Sequence, residues 1–125
     1  MSPSTVLLID SDQDSLTIYS VILRHYGYEV VPASDVATGL QLAADIDPDI
    51  VISELFLPFG KGQTVLEGLR SNDRVAQKPL ILLDSIPMLG EKLIEGVAGA
   101  SRLTKPCTPS RLVEEVARLL QPPSA

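Results

Sequence analysis

Short apolar runs alternate with longer stretches of helical periodicity along this chain. Thr5-Val6-Leu7-Leu8-Ile9 is a continuous apolar run ending at Asp10, which predicts a strand buried on both faces. Leu16, Tyr19, Ile22, Leu23 and Tyr26 then recur at helical spacing up to Gly27, a residue suited to stop a helix. This stripe places Tyr19 and Tyr26 in the core. Tyr28-Glu29-Val30-Val31 predicts a second strand, nearer an edge. Ser34 is positioned to cap a second helix carrying Val36, Leu40, Ala43 and Ala44. Pro48-Asp49 breaks that helix, and Ile50-Val51-Ile52 predicts the third strand.

Leu57-Pro58-Phe59-Gly60-Lys61-Gly62 is a turn-rich loop, after which Val65, Leu66 and Leu69 predict a short helix. Pro79 opens a fourth strand, Leu80-Ile81-Leu82-Leu83, ending at Asp84. A weaker helical pattern spans roughly Leu89 to Val97. Leu103 marks a short fifth strand ending near Lys105-Pro106. Thr108 followed by Pro109 is an N-cap with proline at the first helical position, and Leu112, Val113, Val116, Leu119 and Leu120 form the stripe of the last helix. Gln121 to Ala125 reads as a tail, leaving one domain with its core over about residues 5–120. Five βα units in this order predict an α/β fold, a parallel sheet doubly wound by helices on both faces.

Composition narrows the function classes. The chain has 125 residues, 45% of them hydrophobic, enough for one self-sufficient core. A single Cys, Cys107, excludes a disulfide framework, and one His with one Cys excludes a zinc set. The apolar runs are too short for a membrane span, so no membrane partner is expected and a cytoplasmic location is. The net charge of −6 argues against a nucleic-acid footprint. Residues 1–58 hold nine acids and one base, Arg24, whereas residues 59–125 hold seven acids and nine bases.

Open parallel sheets bind ligands outside the carboxyl ends of their strands. That rule gathers Asp10, Ser11 and Asp12 after the first strand, Ser53 and Glu54 at the third, Asp84 and Ser85 after the fourth, and Lys105 after the fifth. Carboxylates so close must share a proton, bind a divalent cation or pair with Lys105. Taken structurally, Asp10 and Asp12 would only cap a helix, and Glu54 would only be a loop charge.

Val6-Leu7-Leu8-Ile9-Asp10-Ser11-Asp12, Gly27-Tyr28-Glu29-Val30-Val31, Pro48-Asp49-Ile50-Val51-Ile52-Ser53-Glu54-Leu55-Phe56-Leu57-Pro58 and Leu103-Thr104-Lys105-Pro106 together resemble the response-regulator receiver domains of two-component systems. The resemblance runs from about Thr5 to Leu120. It implies a flavodoxin-like five-stranded sheet of order 2-1-3-4-5. It also implies phosphoryl transfer from a histidine kinase to an aspartate after the third strand, assisted by Mg²⁺ on acids after the first.

Several positions depart from that pattern. Asp10 matches the first acid, but Ser11 stands where the second acid is expected and Glu54 stands at the phospho-acceptor position. Asp84 stands where a Thr or Ser binds the phosphoryl group, unless a one-residue slip brings in Ser85. Arg102 stands at or beside the switch aromatic, and Lys61 replaces a loop acid. Lys105-Pro106 is intact. The metal set would be Asp10, Asp12 and Glu54, so the expected cofactor is none, or weakly held Mg²⁺.

Glu54 is one methylene longer than Asp, and a misplacement of about 1 Å can cost in-line transfer on the order of a hundredfold. Its longer reach brings Lys105 within range. The expectation is a pseudo-receiver, not an enzyme, that binds a signalling protein, either a histidine kinase or a downstream target. The resemblance also implies a partner face in the last two βα units, including Lys92, Arg102, Arg111 and Arg118, suited to a homodimer or an acidic protein. Two alternatives remain: an ordinary phosphorylatable regulator using Glu54 or a neighbouring acid, and a small phosphatase. Asp10-Ser11-Asp12 also resembles the D-x-D motif of haloacid-dehalogenase-type phosphatases, where Asp10 would attack phosphorus, Asp12 would act as acid/base, and Ser53 and Lys105 would hold the phosphate.

Overall fold

The computed structural model describes residues 3–54, 65–84 and 99–120, without the side chains of residues 65–67, 74 and 84. In chain order the elements are β1 (Thr5–Ile9), α1 (Gln13–His25), β2 (Glu29–Ala33), α2 (Val36–Ile46), β3 (Ile50–Glu54), α3 (Val65–Arg70), α4 (Asp73–Ala76), β4 (Leu80–Asp84), β5 (Ala100–Thr104) and α5 (Pro109–Leu120). The strands form one parallel sheet of order β2-β1-β3-β4-β5. This is the doubly wound α/β topology expected from the sequence.

Strand alternation explains the two cores. Val6 and Leu8 of β1, Ile50 and Ile52 of β3, and Ile81 and Leu83 of β4 point to one face and pack with Leu16, Tyr19 and Leu23 of α1 and Leu112, Val113 and Val116 of α5. Leu7 and Ile9, Val51, and Leu80 and Leu82 point to the other face, against Val36 and Ala43 of α2, Leu69 of α3 and Val75 of α4. Because β1 and β4 serve both faces, they read as uninterrupted apolar runs.

The helix ends are set by local chemistry. Asp12 caps α1 and accepts from the Asp14 N–H at 3.2 Å. Gly27, at φ +93, takes the left-handed turn after α1 and donates its N–H to the Arg24 carbonyl at 3.0 Å. The Thr108 hydroxyl accepts from the Arg111 N–H at 3.1 Å, with Pro109 opening α5 as expected.

Some expectations need correction. The cap of α2 is Asp35, not Ser34: its backbone is extended and its carboxylate accepts from the Thr38 N–H at 2.8 Å. Tyr26 is 60% exposed, since it follows the last turn of α1 and has left the apolar stripe. β2 runs two residues beyond Val31, through Pro32, which an edge strand tolerates. The short α4 was not foreseen, because four residues are too few for periodicity to register. Leu57–Gly62, the helical pattern near 89–97 and the tail at 121–125 lie outside the described residues.

Candidate functional site

The sheet register brings the site together. Ile9 pairs with Ser53 across β1 and β3, so Asp10 and Glu54 emerge side by side at the carboxyl edge. β1 lies between β2 and β3, where the strand order reverses, and the crevice there is the expected ligand position of such a sheet. Lys105 follows β5, two strands beyond β3, and its long side chain reaches back across the edge. The Lys105–Pro106 bond is cis.

Lys105 Nζ donates to Asp10 Oδ2 at 3.0 Å and to Glu54 Oε1 at 2.8 Å. The Asp10 side chain is fully buried, and those of Glu54 and Lys105 are each 17% exposed. The second Glu54 oxygen, Oε2, accepts from the Ser11 hydroxyl at 2.9 Å and the Ser11 N–H at 3.3 Å. Both Glu54 oxygens therefore have donors. The remaining Asp10 oxygen, Oδ1, accepts from the Asp12 N–H at 2.9 Å.

Two carboxylates sharing one ammonium titrate as a pair. Burial raises Asp10 most, with the Glu54 carboxylate adding to it, so its pKa rises to about 6 despite help from the Asp12 N–H and Lys105. Burial also pushes Glu54 up, but the neighbouring Asp10 carboxyl and the bonds from Lys105 and Ser11 outweigh that and hold it at about 2. Burial pulls Lys105 down, yet the two carboxylates win and its pKa is raised. Across neutral pH the cleft holds an ionised Glu54 locked to a charged lysine.

The remaining candidates divide clearly. Asp12 turns away from the cleft: Oδ1 caps α1, and Oδ2 accepts from the Ser15 hydroxyl at 2.8 Å. The Ser53 hydroxyl donates to the Glu54 carbonyl at 3.0 Å, and Ser53 alternates onto the sheet face opposite Glu54. Asp84 ends β4 beside Thr104 of β5, but its side chain lies outside the described residues, as does Ser85. Arg102 lies on β5, and its guanidinium donates to the Thr104 hydroxyl at 2.8 Å. Ser11 was expected only as a poor ligand; its role as the clamp on Glu54 was missed, although the longer acid beside a hydroxyl hinted at it. Also missed was a second buried acid, Glu115 of α5. It accepts from Arg118 Nε and Nη2 at 2.8 Å each and from the Ser101 hydroxyl.

The model of the response regulator receiver domain family matches residues 6–117. This chain belongs to that family. It is 32% identical to the DNA-binding dual master transcriptional regulator RpaA of Synechocystis over 117 residues, covering 93% of this chain and 48% of that protein. It is 23% identical to the polar-differentiation response regulator DivK of Brucella anthropi, covering 91% and 94% respectively. Among solved structures it resembles the chemotaxis protein CheY4 of Vibrio cholerae, with a TM-score of 0.82, 25% identity, and coverage of 94% of this chain and 99% of that one. The chain spans about half the length of several curated relatives it matches, RpaA among them.

Receiver domains in general bind Mg²⁺ at their acidic phosphorylation site. That ion requires near-octahedral oxygen ligands and several waters. The described cleft offers two carboxylates already facing an ammonium, and Asp12 is spent on α1. Among the described residues no group of three or more His, Cys, Asp or Glu is gathered for a metal. As the described residues stand, engaged with Lys105 and α1, they do not fit a resident magnesium ion.

Proposed function

We propose that this receiver domain works without phosphoryl transfer, as a pseudo-receiver that engages a signalling protein in one standing state. The observation carrying this reading is the bridge from Lys105 Nζ to Asp10 Oδ2 and Glu54 Oε1, at 3.0 and 2.8 Å. An acceptor carboxylate must offer a free oxygen lone pair in line with the incoming phosphorus. Here Ser11 and Lys105 each hold an oxygen of Glu54, leaving fewer lone pairs free, and the extra methylene displaces them from an aspartate's reach. Without a fitted metal site, Lys105 alone is left to offset the repulsion between Glu54, Asp10 and a phosphoryl group. A negative charge held against Lys105 already stands where a phosphoryl group would be held.

The same reading makes the domain an interaction module and not an enzyme. A D-x-D phosphatase would need Asp12 and Ser53 at the cleft, whereas both have local partners. The partner is a histidine kinase or a downstream target. The described part of the β5–α5 face carries Arg102, Arg111 and Arg118 beside the exposed Glu114 and the buried Glu115, a small positive excess that suits an acidic protein surface. RpaA is described as DNA-binding, but the match covers only 48% of it, and the net charge of −6 argues against this domain itself contacting DNA. A cytoplasmic place of action fits this reading; among the described residues no helix is long and apolar enough to cross a membrane.

Incubation with acetyl phosphate and Mg²⁺, followed by intact-mass measurement, tests the proposal. The expected result is no stable adduct. A stoichiometric phosphoryl adduct mapped to Glu54 or a neighbouring acid would make this an ordinary phosphorylatable regulator.

A further inference from the structure

We propose that the outer face of α1 is a self-association surface, pairing antiparallel about a two-fold axis with α1 of a second copy of this chain. The large apolar side chains that stand exposed among the described residues are Ile18 at 52%, Val21 at 62% and Tyr26 at 60%. All three belong to α1 or its C-cap. The inner face of α1 buries Leu16, Tyr19, Ser20 and Leu23, so Ile18 and Val21 are not part of the domain's own core. Single exposed apolar residues are ordinary; an unpartnered pair one helical turn apart on one face is not.

The charge pattern names the occupant. Asp14, Ile18, Val21 and His25 follow one another at spacings of four, three and four residues, which keeps them on one stripe of the helix. That stripe is its own complement when reversed. With the axis between Tyr19 and Ser20, Asp14 meets His25 of the second copy and Ile18 meets its Val21, and each contact occurs twice. An isologous two-fold interface requires such self-complementarity. The acid lies in the first turn of α1, with the bases Arg24 and His25 in the last, so the antiparallel arrangement also opposes unlike ends. A histidine N–H can donate to the Asp14 carboxylate whether the ring is charged or neutral. Tyr26 braces the His25 ring edge-on, at 5.4 Å between centroids and 84° between planes.

The flank of this stripe accommodates a neighbour. A cleft of about 220 Å³ runs between α1 and the edge strand β2, bordered by Thr17, Val21, Arg24 and Pro32. Val21 lies on its lip, so Ile18 of the second copy would close over it. The β5–α5 face, expected from the family resemblance to serve a homodimer, leaves no large apolar side chain exposed among the described residues, and its Arg111 and Arg118 are already paired with Glu115. One helix face buries less than a standard interface, so association falls in the range of about 10 µM to 1 mM.

Sedimentation velocity of the whole chain across that range tests the proposal, with thermal unfolding as a check on folding. The expected result is a concentration-dependent dimer that weakens at least tenfold with Val21→Glu and with Asp14→Lys. Combining Asp14→Lys with His25→Glu restores it to within about threefold, since the pair is then reversed but complementary. A chain that stays monomeric throughout, a dimer indifferent to Val21→Glu, a failed charge reversal, or a dimer dissolved instead by Arg111→Glu would each overturn it. None of these readings depends on whether Glu54 accepts a phosphoryl group.

Discussion

Lys105 carries the electrostatics of the cleft. Its ammonium bridges one fully buried carboxylate and one that is nearly buried. Removing one member of such a cluster leaves an uncompensated charge in a poorly solvated place. Lys105→Met is expected to cost about 3 kcal/mol in chemical denaturation at neutral pH. The loss shrinks on acidification, because Asp10 or Glu54 can then take up a proton and shed the repulsion. Glu115 follows the same direction by a different route. Its bonds from Arg118 come first, and with Ser101 they overcome burial to hold the carboxyl at about 2, below its ordinary 4.5. A depressed folded-state pKa contributes stability that is complete above the unfolded value and lost as pH falls through the folded one. Acid unfolding of the wild type should therefore steepen between about pH 4.5 and about pH 2. Glu115→Gln flattens that limb and costs about 2 kcal/mol at neutral pH, a figure reduced from the full shift because Arg118 is largely in solvent.

At the scale of elements, close approach matters most where α2 crosses β1. A Cβ added at Gly39 would lie 2.5 Å from Ile9 Cδ1, and Ile9 is fully buried. Gly39→Ala is expected to lower stability by about 1–3 kcal/mol despite its gain in helix propensity, and pairing it with Ile9→Val should recover only part of the loss in thermal melts, because Ile9 Cγ1, 2.8 Å from the added Cβ, has a counterpart in valine. β1, β3, β4 and α5 were legible in the sequence because double burial or a long stripe writes a dense apolar pattern. α4 was too short to write one. At α2, two good caps stand side by side, and only backbone geometry distinguishes Asp35 from Ser34. The meeting of Asp10, Glu54 and Lys105 was legible because the topology places strand ends on a common rim. The clamp by Ser11 was not, since hydroxyl direction depends on side-chain angles that spacing does not encode. The outward stripe of α1 was equally hidden, because a search for the core passes over Ile18 and Val21.

On the proposed reading the whole molecule combines a receiver scaffold with substituted chemistry, and the two can be separated. Its backbone follows that of CheY4 with a TM-score of 0.82 over 94% of the chain, so the strand ends stand where the family needs them. Asp10 and Lys105 are in place. By the sequence resemblance, what is missing is a second acid at Ser11, an acceptor of aspartate length at Glu54 and a hydroxyl at Asp84. If side chains alone hold the domain outside phosphoryl chemistry, restoring them should return it. Glu54→Asp by itself shortens the acceptor but leaves the metal position neutral, so labelling from acetyl phosphate should remain well below stoichiometric. Ser11→Asp combined with Glu54→Asp adds a carboxylate ligand for Mg²⁺ and frees the acceptor from the Ser11 clamp. Adding Asp84→Thr removes a charge that would repel the phosphoryl group. The triple variant is expected to take up phosphoryl groups at position 54 only when Mg²⁺ is present, as read by intact mass and by amide shifts around Lys105. If the triple variant stays unlabelled while remaining folded, the obstacle lies in the scaffold, and the substituted side chains are a consequence of lost phosphorylation instead of its cause.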